Sequence, residues 1–287
     1  MKIGLSTYSL HEAIQAGEMT VLDAIQWIAG NGGECVELSP SGYDFVEDPS
    51  LIDEVREKTA AVGIEIASYT FSAQFIQPSE AEYEAEIARV MKHVDIGSRL
   101  GVRRIRHDAG FRPPEEATIE QFEIDLPKMA GACRRVADHA ARYGITTSVE
   151  NHGYHVQHSD RVRRLIATVD RPNYRWTVDI GNFMCVDEDP LAAVQKAIGL
   201  ASNVHFKDFY LRPSHLDPGE GWFPTAAGHH LRGAIVGHGD IDIRSILKVV
   251  KQSGYNDSIS VEFEGLEDCR LGSRLGMETV RRLLAEC

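Results

Sequence analysis

The chain has 287 residues, 43% of them apolar and 25% charged, with 30 Lys+Arg against 43 Asp+Glu and a net charge of −13. That length holds one large α/β domain or two small ones, with ample core. The charge argues against nucleic acid and against an anionic membrane surface, which both call for a basic face, and it is compatible with a hard cation held by carboxylates.

In chain order, a first strand is expected over residues 3–8. Thr20 and Asp23 have capping-box spacing before Val21, Ala24, Ile25 and Ile28, which recur at helical intervals. Gly33 closes that helical stretch, and a strand is predicted over 35–39. Asp48-Pro49 places a cap before a proline suited to the first helical position; Gly63 then leads into a strand at 64–69. Ser79 with Glu82 opens the next helix, and Gly101 precedes a strand at 102–107. Thr118 with Gln121 opens another, and Gly144 precedes a strand at 145–150. A strand at 175–179 is followed by Asp189-Pro190, a second cap and proline, and by a strand at 204–207. Gly254 lies before the last strand, 259–263. Glycine recurs after helices because it reaches the left-handed conformation without a Cβ penalty. No stretch is long enough for a transmembrane helix, and the N-terminus lacks the shape of a signal peptide. Five scattered cysteines without a CxxC pair read as reduced thiols in a cytoplasmic protein.

Eight β/α units predict a single (β/α)₈ TIM barrel over residues 1–287. A doubly wound sheet would also alternate, but no GxGxxG follows the first strand. Chemistry in a barrel sits at the C-terminal strand ends. Strand five ends in Glu150 and strand six in Asp179; strand seven holds His205 and strand eight reaches Glu262. Four consecutive strands would bring these groups together at the axis. Three carboxylates that close repel strongly unless a cation offsets them, so the four are expected to bind a metal.

The segments SVENH (148–152), VDIGN (178–182), HFKD (205–208), GHGDID (237–242) and GYNDSISVEFE (254–264) resemble those of the xylose-isomerase-like TIM barrels. More narrowly, they are similar to the sugar phosphate isomerase/epimerase group. The resemblance implies metal ligands at Glu150, Asp179, His205 and Glu262, with Glu150 and Glu262 also acting as acid and base on opposite faces of the substrate. Several members carry His where this chain has Asn182; without it, the trinuclear-zinc DNA-repair reading is disfavoured. His238 stands where relatives often have Glu or Gln, and reads either as a loop residue or as a substrate contact.

Three carboxylates and an imidazole suit Mn²⁺ best, with Mg²⁺, Co²⁺ and Zn²⁺ compatible. Such an ion would polarise a hydroxy-ketone and stabilise its enediolate. Return of the proton gives epimerisation or isomerisation, and loss of a β-substituent gives elimination. The expected enzyme is therefore an isomerase or epimerase of a ketose, inosose or keto-sugar. The alternative is a lyase resembling inosose or dehydroshikimate dehydratases, or a C-glycoside deglycosidase barrel with a small β-rich partner subunit.

Expected substrate contacts are His107, His152, Asn182, Lys207, Arg232 and His238, with Asp208 supporting the ligands. His107 reads equally as structural. Glu37 and Glu65 either line the early strands or pair at the surface. Residues 209–236, rich in aromatics, are expected to form a lid or a subunit interface; a homo-oligomer is compatible with either. Arg270 with a Gly272-Ser273 turn could form a small anion site, although the acidic EFEGLED favours an unphosphorylated substrate.

Overall fold

A computed structural model describes residues 1–287. Its eight barrel strands are β1 (Lys2–Ser6), β2 (Cys35–Leu38), β3 (Glu65–Phe71), β4 (Arg104–His107), β5 (Thr146–Glu150), β6 (Tyr174–Asp179), β7 (Ala201–Phe206) and β11 (Ser258–Val261). They close in the order β1-β11-β7-β6-β5-β4-β3-β2, every neighbouring pair parallel. The helices are α1 (His11–Gln15), α2 (Val21–Gly30), α3 (Leu51–Val62), α4 (Glu80–Leu100), α5 (Ile119–Ala141), α6 (Ser159–Val169), α7 (Pro190–Ala197), α8 (Ile243–Gln252) and α9 (Cys269–Glu286). The apolar core lies between the barrel and this helical ring and includes Leu5, Val36, Ile105, Trp176, Val204 and Ile259.

Most of the expected helix signals operate as read. Thr20 and Asp23 form a full capping box, while Ser79, Thr118 and Asp189 accept from Glu82, Gln121 and Ala192 backbone N–H groups. Gly63 and Gly101 end α3 and α4 with φ of 75° and 79°, a conformation in which a Cβ would be strained. Asp48 departs from expectation. It does not cap α3; its carboxylate accepts from the Ser50 N–H at 3.2 Å, and the helix begins at Leu51 after Ser50. Pro49 therefore lies in the preceding turn rather than at the first helical position.

The barrel interior is polar beneath the mouth. Ser148 Oγ and Thr177 Oγ1 meet at 2.8 Å across β5 and β6, and Ser68, Asn203 and Ser260 are also buried there. The long connection after β7 is ordered into an antiparallel sheet of β8 (Asp208–Arg212), β10 (His230–Ala234) and β9 (Phe223–Pro224), in the order β8-β10-β9. Gly272 and Ser273 lie inside α9, where Gly272 packs on the Phe263 ring, and Arg270 pairs with Glu18 at 2.9 Å. The expected anion turn is thus a helix interior. No helix is long and apolar enough to cross a membrane.

Candidate functional site

Strand register brings the four expected ligands together. Asp179 and His205 are direct partners on β6 and β7. Glu150 ends β5, and Glu262 continues the ladder past β11, its N–H donating to Phe206 O at 2.9 Å. One donor atom from each of Glu150, Asp179, His205 and Glu262 lies within 4.8 Å of all the others, and all four residues are buried.

Local sequence sets the aim of each side chain. The DIGN segment turns so that Asp179 Oδ1 accepts from Gly181 and Asn182 N–H groups at 2.7 and 2.9 Å, an arrangement natural to Asp. Its Oδ2 is left buried with no hydrogen-bond partner, as is Nδ1 of His205. That Nδ1 stands 3.4 Å from Glu262 Oε1, 3.8 Å from Glu150 Oε1 and 4.0 Å from Asp179 Oδ2. Asn151 braces the ends of β5 and β6. It donates to Asp179 O at 2.7 Å and accepts from Trp176 Nε1 and Asp179 N, both at 3.0 Å.

Burial and the neighbouring Glu150 and Glu262 push the Asp179 carboxyl up to about 6 against the opposing pull of Lys207. Burial opposes ionisation of Glu150 as well, but the Arg106 guanidinium and His205 hold it well below the ordinary carboxylate range. Crowded acidic groups with two orphaned donor atoms fit a divalent ion. An unpaired buried polar atom costs about 1–3 kcal/mol, and a cation is the partner common to all four.

Above the cluster opens a cavity of about 440 Å³, within the range of small-molecule sites. Glu150, Glu262, Lys207 and His152 line it, together with Arg106, Asp108, Glu264 and a wall of hydroxyls from Tyr8, Ser39, Ser41, Tyr43, Thr70 and Ser72. Lys207 Nζ contacts Glu262 at 2.9 Å, Glu264 at 3.4 Å and Asp179 at 3.5 Å. His152, half-exposed, meets Asp108 at 3.3 Å. Against a partial loss of solvent, the pKa of its ring is raised by the Asp108 carboxylate.

Four expected substrate contacts lie elsewhere. His107 faces the helices, its buried ring among Phe71, Phe75 and Tyr174; the cavity residue of β4 is Arg106, 2.7 Å from Glu150 and 2.8 Å from Asp108. Asn182 is buried and donates to Glu150 Oε1 at 2.9 Å, so it orients that carboxylate instead of lining the cavity. Arg232 stacks on Tyr210 and Trp222 within the β8–β10 sheet, with 4.8 and 5.5 Å to the ring centroids. His238 is exposed on the turn after β10. No residue of 209–236 lines the cavity; instead Tyr154 and Asp187 tie this sheet to the loops after β5 and β6.

The roles of two expected residues differ from, or sharpen, the sequence reading. Asp208, expected to support the ligands, instead anchors the return of the excursion, accepting from the N–H groups of Phe209, Gly237, Gly239 and Ile241. Glu37 is fully buried and accepts from His205 Nε2 at 2.9 Å. A charged residue inside the otherwise apolar, buried run CVEL was the available signal. Glu65 pairs with Lys2 at the surface, at 2.6 Å.

Inosose dehydratase of Lacticaseibacillus casei is 25% identical over 236 residues, which cover 78% of this chain and 76% of that protein. Among solved structures, the probable 3-DHS dehydratase AsbF of Bacillus anthracis superposes with a TM-score of 0.76 at 16% identity, covering 98% and 99% of the two chains. D-Psicose 3-epimerase of Clostridium cellulolyticum H10, solved with D-tagatose, gives 0.75 at 15% identity, covering 99% of each. Both share the barrel. A family model described as xylose isomerase-like TIM barrel matches residues 25–285, and on that match this chain belongs to the xylose isomerase-like TIM barrel family.

Proposed function

We propose that the chain is a divalent-metal-dependent isomerase or epimerase that moves a proton at the carbon beside the carbonyl of a ketose, inosose or related keto-sugar. The convergence of Glu150, Asp179, His205 and Glu262, with His205 Nδ1 and Asp179 Oδ2 lacking a hydrogen-bond partner, carries this reading. The donor set favours Mn²⁺, with Mg²⁺, Co²⁺ and Zn²⁺ compatible. Such an ion, when bound, lowers the cost of negative charge on a substrate carbonyl oxygen.

The chain's own groups supply the rest. Glu150, ionised beside Arg106 and oriented by Asn182 at the cavity edge, is placed to take a proton from a carbon whose acidity the bound ion would raise. Glu262 also faces the cavity and can return a proton from its own side. Return to the opposite face of the same carbon inverts it; return to the neighbouring carbon moves the carbonyl. Lys207, His152 and the hydroxyl wall suit the oxygens of a polyol. Arg89, Arg106 and Lys207, the cavity's Arg and Lys side chains, each already pair with a carboxylate, which favours an unphosphorylated substrate.

Dehydration is the second reading. It is favoured by the likeness to inosose dehydratase and by Lys207, an ammonium beside Glu262 that could protonate a departing hydroxyl. The two readings separate in D₂O with Mn²⁺ and a panel of ketoses and inososes. Deuterium appearing in an intact epimer or isomer supports the first; an α,β-unsaturated ketone supports the second. Glu150→Gln and Glu262→Gln should each lower kcat by about 10²–10⁴-fold. Wild-type turnover in either variant would remove that residue from the acid–base role.

A further inference from the structure

We propose that Glu37 is a positioning residue for the metal centre: it holds His205 with Nε2–H toward itself and the Nδ1 lone pair toward Glu150, Asp179 and Glu262. The inference rests on the reading of those four residues as a metal site. Glu37 stands on β2, whereas His205 and Asn203 stand on β7, and β1 and β11 intervene in the barrel order. The contact therefore crosses the barrel interior beneath the cluster.

Three donors converge on one oxygen, Glu37 Oε2: Ser68 Oγ at 2.5 Å, Asn203 Nδ2 at 2.8 Å and His205 Nε2 at 2.9 Å. Ser68 and Asn203 point donors at the same oxygen, so Glu37 Oε2 is surrounded as an acceptor. With Oε2 as acceptor, His205 Nε2 at 2.9 Å is the donor of that contact, and Asn203 Nδ2, 3.2 Å from Nε2, has Oε2 as its nearer acceptor. In the neutral imidazole this leaves Nδ1 as the lone-pair atom, and Nδ1 is the ring atom facing the three carboxylates. All four members of the network are buried.

A floor built only for packing would use branched apolar side chains, as barrel interiors commonly do. A carboxylate placed under three others adds repulsion and gains nothing from packing. It becomes useful when the imidazole binds a cation, because an anionic partner raises the basicity of the ligand and fixes its tautomer.

Glu37→Gln tests this with little change in volume. Co²⁺ affinity, measured by chelator competition, should fall about 10- to 100-fold, and the visible Co²⁺ spectrum should shift. In the Zn²⁺-loaded protein the His205 Nε2 proton should resonate far downfield and move upfield in the variant, a signature that packing alone would not produce. Ser68→Ala, which leaves the Glu37–His205 contact in place, should bind Co²⁺ within a few-fold of wild type and guards against a folding artefact. Unchanged affinity and proton shift in a folded Glu37→Gln protein would overturn the assignment. Wild-type protein that binds neither Co²⁺ nor Zn²⁺ would overturn the metal site itself, and this assignment with it.

Discussion

Arg106 and His107 are neighbours on β4, and the strand's alternation sends one to the cavity and the other to the helices. Placing the strand's polar end at His107 instead of Arg106 is a one-residue slip, which exchanges the two faces. His107 is consequently a core residue. Its Nδ1 contacts Asp108 O at 2.8 Å, its Nε2 has no partner, and burial depresses its pKa to about 4. The unfolded chain binds the proton near pH 6.5, so between these values the unfolded state holds more protons and stability falls with acid. His107 should contribute fully above about pH 6.5 and lose about 2 kcal/mol by pH 5. Urea denaturation at pH 7.5 and pH 5 checks this: His107→Gln should flatten the acid-side loss. Parallel losses in wild type and variant would show that His107 stays neutral in both states.

At the level of elements, the barrel was largely legible because each β/α unit carries local signals, namely a cap, an apolar helical face and a glycine exit. Thr20, Ser79, Thr118 and Asp189 act through residues three positions away, well within what a sequence displays. The carboxylates at the ends of β5 and β6 were legible for the same reason, since strand position alone aims them. Glu37 and Asp208 were not, because their partners lie far away in sequence: Glu37 meets His205, and Asp208 meets the turn at 237–241. The excursion was recognised by its length, but its sheet depends on the pairing of β8 with β10 and its base on Asp208. Asp208→Ala would strand several backbone donors, with a cost on the order of 1–3 kcal/mol once water has entered. Hydrogen exchange at Gly237, Gly239 and Ile241 should quicken selectively while the β1–β7 amides keep their protection. Uniform loosening would instead make Asp208 a support for the whole barrel.

For the whole molecule, the proposed metal site would couple ion binding to folding. The native protein gathers the buried Glu150, Asp179 and Glu262 within 4.8 Å of one another, and the net charge of −13 adds a general repulsion that any bound cation reduces. The unfolded chain separates these groups and binds the ion weakly. Stabilisation by a ligand of the native state follows RT ln(1 + [L]/Kd), about 2.7 kcal/mol at a hundredfold excess over Kd. A chain of this size gains about 2–4 °C per kcal/mol, so saturating Mn²⁺ should raise Tm by roughly 5–10 °C over chelated protein. The same comparison in Asp179→Asn, which weakens the ligand set and relieves repulsion, should show a smaller rise and a higher Tm in chelator. An Mn²⁺ response in Asp179→Asn equal to that of wild type would mean that the stabilising ion sits elsewhere on the acidic surface, and not among the strand-end carboxylates.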